Sequence, residues 1–201
     1  VYGGVTYYFN EEYLRSAFDV VLEQTSQRNI SVAGILLVSP EGDAGELLKH
    51  PDFNGIAPYT MPNMTTMEST QCYAAALDFL AQRYSKPGMR IAHWIIHNEV
   101  DGGSHWTNMG DKPIATFMDT YLRSMRMCYN IVRQYDEHAE VFASFSHSWT
   151  DISNVGWYTS KDIVDLLNTY SRVEGDFQWA MAYHSYAQSL FNPCTWLDPD
   201  A

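Results

Sequence analysis

Helical and strand-like patterns alternate along this 201-residue chain, and that alternation restricts its fold more than any other feature. Four segments carry apolar residues at helical spacing, and each is followed by an apolar run typical of a buried strand. The helical segments begin near residues 10, 73, 113 and 160, and the strands are predicted at 30–38, 89–100, 141–145 and 177–183. Helices of ten to twenty residues between strands predict a parallel sheet with crossover connections.

The remaining segments are predicted to be irregular. Residues 1–9 are expected to form a short strand or a loop that leads to one. Residues 40–66 contain four Pro and three Gly and are predicted to be a long, ordered loop. Further loops are predicted at 101–111 and 192–199. Nothing in the composition divides the chain, so we expect a single domain over residues 1–201.

Composition excludes several classes of partner. The chain has 12 Lys and Arg against 24 Asp and Glu, a net charge of -12. Proteins that bind nucleic acid or anionic membranes need clustered basic residues, so neither partner is expected. No apolar run reaches the ~18 residues that a membrane span requires. The chain begins at Val1 without a basic or apolar leader, so we expect that residue to be an internal one.

Two folds share this pattern of elements, the open doubly wound sheet and the (β/α)8 TIM barrel. Neither GxGxxG nor GxxxxGK[ST] is present, which disfavours a doubly wound nucleotide binder. Polar clusters follow the predicted strands at residues 39–41, 97–101, 146–149 and 184–186. The ends of parallel strands lie on one side of the sheet, where α/β barrels place their catalytic groups. We therefore expect these clusters to converge.

Glu99 is the strongest catalytic candidate. Strand alternation predicts that His93, Ile95, His97 and Glu99 share one face. A carboxyl group at the end of so apolar a strand is expected to be partly desolvated, which raises its pKa and lets it hold a proton near neutrality. A general acid needs this property. The competing interpretation is a structural carboxylate paired with a loop amide or an Arg.

The residues around these strand ends suggest a sugar-binding site. Asn98 can form a hydrogen bond with a substrate hydroxyl, and aromatic rings offer flat apolar faces on which sugar rings stack. The candidate substrate-binding residues are Asn98, His97, Trp106, His147, Trp149, Tyr183, His184 and Tyr186.

A metal centre is not expected, although His93, His97, His105 and Glu99 lie close together in sequence. The spacing is not that of the helical HExxH motif. On one strand face, residues four apart are separated by about 13 Å, too far to share an ion. No GxSxG elbow marks a nucleophilic Ser. No cofactor is predicted.

The strand-end motifs resemble those of the clan A glycoside hydrolases, which are retaining TIM-barrel glycosidases. In that clan an Asn-Glu pair ends the fourth strand, as Asn98-Glu99 does here, and several families show His-x-Tyr at the sixth, like His184-Ser185-Tyr186. The segments 93–101 and 179–186 are also similar to bacterial glycosidase-like domains. The resemblance implies that Glu99 is the acid/base and that Asn98 contacts the sugar 2-hydroxyl.

The resemblance covers residues 30 to 186, roughly strands two or three to six of a barrel. Val100-Asp101 follows Asn98-Glu99, where many clan members have Pro. The clan's nucleophile is a Glu at the end of the seventh strand, beyond the resemblance. Of the acidic residues available to Glu99, namely Glu41, Asp101, Asp151 and Asp198, none has the expected context. We therefore expect a partial barrel, its nucleophile outside this chain, and little or no turnover by these residues alone.

Three functions follow from this pattern. The leading hypothesis is a retaining glycoside hydrolase acting on a poly- or oligosaccharide. The alternatives are a carbohydrate-binding barrel without catalysis and a metal-dependent TIM-barrel hydrolase. A partial sheet has open edges, so remaining barrel segments or self-association are expected to cover them.

Overall fold

The computed structural model describes residues 1–152, 154–186 and 194–197. Its strands are β1 (Ala33–Leu36), β2 (Ser85–Lys86), β3 (Met89–Arg90), β4 (His93–Ile96), β5 (Glu140–Phe145) and β6 (Ala180–Tyr183). The order β1-β4-β5-β6 forms one sheet, and every pair in it is parallel. The short strands β2 and β3 form a separate antiparallel pair. The predicted parallel sheet is confirmed.

The described helices are α1 (Glu11–Leu14), α2 (Val20–Ser26), α3 (Gly42–Leu48), α4 (Met67–Tyr84), α5 (Gly103–Trp106), α6 (Ile114–Tyr135) and α7 (Ser160–Val173). A π-helical turn at Arg15–Asp19 joins α1 to α2, and a 3-10 turn covers Thr195–Leu197. Asn10 caps α1, since its side chain accepts the Tyr13 N–H. Such a bond satisfies one of the free N–H groups at a helix start. None of the described helices is both long and apolar enough to cross a bilayer.

Helices α4, α6 and α7 pack on one face of the sheet. That face carries fully or almost fully buried strand residues, namely Trp94, Ile96, Val141, Ala143 and Phe145. Helix residues meet them, among them Leu77, Phe117, Met125, Ile163 and Leu167. Burying one such large side chain contributes roughly 1.5–3 kcal/mol. The helix-covered face therefore holds the core.

The opposite face of the sheet is less well covered. Ile35, Ile95, Phe142 and Ala180 are paired in register across the four strands, so they share this face. Ile35 on the outer strand is 46% exposed. The described residues form an open sheet with β1 and β6 at its edges and do not close a barrel.

The structure corrects four predicted segments. The N-terminal segment forms only an isolated bridge between Tyr2 and Val5. The predicted loops over residues 40–66 and 101–111 contain the helices α3 and α5, each too short to show a clear helical period. The strand predicted over 89–100 is divided between β3 and β4. Of the loop predicted at 192–199, only residues 194–197 are described, and Asp198 lies outside the described residues.

Candidate active site

The backbone turns sharply where β4 ends. His97 has φ 60° and Glu99 has φ 35°, although neither residue is a glycine. Such left-handed residues are uncommon outside glycine and cluster at functional sites. The turn ends the strand alternation at Ile96. It therefore decides on which side each following residue lies.

The first residue of the turn, His97, anchors it in the core. Its imidazole is fully buried, with Nδ1 3.2 Å from the Leu36 carbonyl oxygen and Nε2 3.4 Å from Ser124 Oγ of α6. Burial lowers the pKa of His97 to about 4, while the contact with the Leu36 carbonyl acts in the opposite direction. The ring is therefore neutral at pH 7. The prediction that His97 lies on the face of Ile95 is wrong, because the turn directs the ring toward α6.

The Glu99 carboxylate is held at both oxygens. Trp106 Nε1 donates to Oε2 at 3.0 Å, and His184 Nδ1 lies 2.9 Å from Oε1. The Glu99 side chain is 13% exposed. Because a side chain of α5 and a side chain that follows β6 both fix it, the carboxylate keeps one orientation at the carboxyl end of the sheet. A carboxyl group held in one fixed orientation is what catalysis or tight binding requires.

Trp106 reaches Glu99 because α5 begins very close to it. At Gly102, a Cβ atom would lie 3.1 Å from the Glu99 carbonyl oxygen and 3.1 Å from Trp106 Cδ1. Glycine permits this close approach. Tyr59 stacks against Trp106 with ring centroids 5.6 Å apart, and His105 packs edge-on at 4.7 Å. One side of the site is thus an aromatic surface.

The other side comes from β5 and β6. Ser144 Oγ accepts the Glu99 N–H at 3.1 Å and lies 3.3 Å from His184 Nε2. Tyr186 packs edge-on near His184 and near His147, with ring separations of 6.1 and 6.2 Å. His147 and Tyr186 are both exposed. They extend the aromatic surface beyond His184.

Asn98 lies between the two left-handed residues and is half-buried. Its side-chain amide forms no hydrogen bond with the described residues. The amide is therefore available for a ligand at this edge of the site. That Asn98 contacts a sugar hydroxyl stays a prediction.

Trp149 and Tyr183 lie apart from this cluster. Tyr183 is paired in register with Phe145, so it shares the helix-covered face. Its hydroxyl donates to the His147 carbonyl oxygen, and Trp149 packs edge-on against its ring at 6.1 Å. His184, the next residue, is on the Glu99 side. The strand alternation of β6 thus separates Tyr183 from the residues that contact Glu99.

Asp101 has a different role from Glu99. It is fully buried and accepts hydrogen bonds from the Ser146 N–H, the Ser146 hydroxyl and the Ser160 hydroxyl at 2.9, 2.5 and 2.8 Å. These bonds tie the end of β5 to the start of α7. Asp101 is therefore a structural carboxylate. Glu41 and Asp151 are exposed on other loops.

No group of His, Cys, Asp and Glu among the described residues is arranged to hold a metal ion. His93 lies at the start of β4, with Nδ1 2.9 Å from Glu140 Oε2. His97 is committed to the core, and His105 packs on Trp106.

Two residues of the site were not predicted from the sequence. Ser144 is a polar residue inside the apolar run 141–145, and that interruption was the available signal. Tyr59 belongs to the long loop, where no local pattern indicates its partner.

The family model described as "Family of unknown function (DUF5722)" matches residues 1–201. The chain belongs to this family. No curated protein matches the DUF5722 chain.

Two solved structures resemble the DUF5722 chain slightly. One is a Paenibacillus polymyxa xyloglucanase from glycoside hydrolase family 44, at 14% identity and a TM-score of 0.49, covering 87% of this chain and 41% of that one. The other is a Paenibacillus polymyxa xyloglucanase of family 44 with xyloglucan, at 17% identity and a TM-score of 0.41, covering 77% and 35%. The chain thus spans less than half the length of either. Likenesses this slight decide neither fold nor activity.

Proposed function

We propose that this chain supplies the acid/base part of a retaining glycoside hydrolase, with Glu99 as the acid/base. One observation carries the proposal: Glu99 is held at both carboxylate oxygens, at the carboxyl end of a parallel sheet, between two aromatic surfaces. Such sheet ends hold the catalytic groups of (β/α)8 barrels. The proposal assigns the fold to that class as a partial barrel.

In the first step, Glu99 donates its proton to the glycosidic oxygen while the bond from that oxygen to the anomeric carbon breaks. A second carboxylate attacks the anomeric carbon and forms a glycosyl ester. In the second step, the ionised Glu99 takes a proton from water as the water displaces that ester. Retaining enzymes need the two carboxyl groups roughly 5–5.5 Å apart. We place the second one outside this chain.

The residues around Glu99 are assigned two roles in substrate binding, aromatic stacking and hydrogen bonding. Trp106 and Tyr59 offer a stacked aromatic surface on one side of Glu99, and Tyr186 and His147 offer exposed rings on the other. Stacking on aromatic faces suits the apolar faces of sugar rings. The free amide of Asn98 is assigned to a sugar hydroxyl.

Further barrel segments or a second copy are assigned to the open edges of the sheet. β1 presents unpaired backbone groups at one edge, and Ile35 is 46% exposed beside them. Edges of this kind are normally paired or covered. The occupant would complete the wall of the site on the side opposite His184.

The decisive test uses the native polypeptide that contains these residues and a panel of aryl glycosides. Glu99→Gln should slow glycosides with poor leaving groups about a hundredfold or more, and those with good leaving groups far less, because only poor leaving groups need the proton. Glu140→Gln is the matched control, since Glu140 is a strand carboxylate at the opposite end of the sheet. Equal loss for both substrate types would contradict acid catalysis by Glu99.

The same protein should be titrated with oligosaccharides while its Trp fluorescence is followed. Cleavage together with binding supports the hydrolase. Binding without cleavage of any glycoside would instead identify a carbohydrate-binding module and overturn the proposal.

A further inference from the structure

Ser144 is the buried polar residue through which the backbone and the side chain of Glu99 are connected. It lies in β5 among apolar residues and is fully buried. A buried hydroxyl is costly unless it is hydrogen-bonded. Ser144 Oγ has two polar neighbours in the site, the Glu99 N–H at 3.1 Å and His184 Nε2 at 3.3 Å.

The direction of each bond follows from the groups involved. The Glu99 N–H can only donate, so Ser144 Oγ accepts from it. Among the described residues the Ser144 hydroxyl proton has no acceptor other than His184 Nε2, and a buried hydroxyl proton without an acceptor is costly, so we assign His184 Nε2 as the acceptor. A neutral imidazole that accepts at Nε2 carries its proton on Nδ1. His184 Nδ1 lies 2.9 Å from Glu99 Oε1, so the carboxylate accepts that proton.

These three bonds form a closed ring in which each group donates to the next. It runs from the Glu99 N–H to Ser144, from Ser144 to His184, and from His184 back to the Glu99 carboxylate. Hydrogen bonds arranged head to tail polarise and strengthen one another. The ring therefore couples the orientation of the carboxylate to its own backbone.

We propose that Ser144 is a positioning residue that orients the Glu99 carboxylate by fixing the ring of His184 with its proton on Nδ1. The effect of Ser144 on the reaction rests on the proposed function, whereas the placement of the His184 proton on Nδ1 does not. A purely structural Ser144 would satisfy the Glu99 N–H and leave His184 unaffected.

NMR of the native polypeptide, labelled with ¹⁵N in its histidines, tests the placement. The His184 ring, assigned by the signal lost in His184→Asn, should carry its proton on Nδ1 at neutral pH and exchange it slowly with solvent. In Ser144→Ala that exchange should accelerate about tenfold, the factor that one hydrogen bond of typical strength supplies. Ser144→Thr, which keeps the hydroxyl, should restore slow exchange.

Ser171→Ala is the matched control. Ser171 is also a buried serine that accepts an N–H, that of Trp179 at 3.2 Å, but it lies in α7 and does not contact His184. It should leave the His184 signal unchanged. A neutral wild-type ring with its proton on Nε2 would overturn the proposal without any variant. Unchanged exchange in Ser144→Ala would overturn it as well.

Turnover measurements distinguish a failure of the positioning role of Ser144 from a failure of the proposed function. If Glu99 is the acid/base, Ser144→Ala should reduce turnover of poor-leaving-group glycosides about tenfold with a smaller effect on good ones. If no glycoside is cleaved, the proposed function fails while the NMR result still decides the role of Ser144 toward His184. Loss that is equal for both substrate types would contradict positioning through Glu99.

Discussion

Acidification should destabilise the fold through one buried imidazole, that of His97. Its pKa in the folded protein is about 4, against an ordinary value of 6.5, because burial disfavours the charged ring. The unfolded chain therefore takes up the proton first as the pH falls. The stability that depends on a neutral His97 is present above pH 6.5 and is lost progressively down to about pH 4.

The size of the effect follows from the shift. Each unit of difference in pKa corresponds to about 1.4 kcal/mol, so the full loss is about 3 kcal/mol, and about 2 kcal/mol of it falls between roughly pH 7 and pH 5. That is a large fraction of the stability of a typical domain, about 5–15 kcal/mol. His50 contributes in the same direction, since burial also lowers its pKa.

His97→Asn isolates the contribution of His97. Asn accepts a left-handed backbone better than most residues, and its amide can take the place of Nδ1 near the Leu36 carbonyl. Urea unfolding at pH 7 and pH 5 measures both proteins, and His50 affects them equally. Wild type should lose about 2 kcal/mol more than the variant over this range. His138→Asn, at an exposed histidine, is the control and should behave as wild type. A variant that loses as much stability as wild type would refute the reasoning.

Substitution of two buried carboxylates, Asp101 and Asp19, should also lower the free energy of unfolding. Asp101→Asn places an NH2 group among hydroxyl and N–H donors such as the Ser160 hydroxyl. The free energy of unfolding, measured by urea titration, should therefore fall by about 2–4 kcal/mol. An unchanged unfolding midpoint would contradict a structural role for Asp101. Arg83 Nη2 lies 2.5 Å from Asp19 Oδ2 and holds the pKa of Asp19 below its usual value. Asp19→Asn should therefore cost about 1–3 kcal/mol at pH 7, and this difference from wild type should shrink in acid as the pH falls through the lowered pKa of Asp19. A difference that stays constant from pH 7 down to pH 2 would argue against the ion pair.

Local pattern was sufficient to predict the long helices, the strands of the parallel sheet and their order, but not the short elements α3, α5, β2 and β3. The helix that follows Pro113, the helix that begins at Ser160 and the strand β5 between them appear where periodicity placed them. Helical and strand periods depend on which side chains face a common core, and that information is written in the sequence itself. Glu99 and His184 were likewise found from their positions at strand ends.

Tertiary structure decided which of these residues meet. The ring of His97 lies in the core and not on the predicted face, because the backbone is left-handed at this residue. Local preference disfavours that backbone conformation, and contacts with Leu36 and Ser124 stabilise it. Register across β5 and β6 placed Ser144 beside His184 and put Tyr183 on the other face. Such contacts join residues 27 to 85 positions apart, so no local pattern encodes them. The sequence alone indicated Glu99 as the candidate, and long-range packing determined that Trp106 and His184 hold its carboxylate.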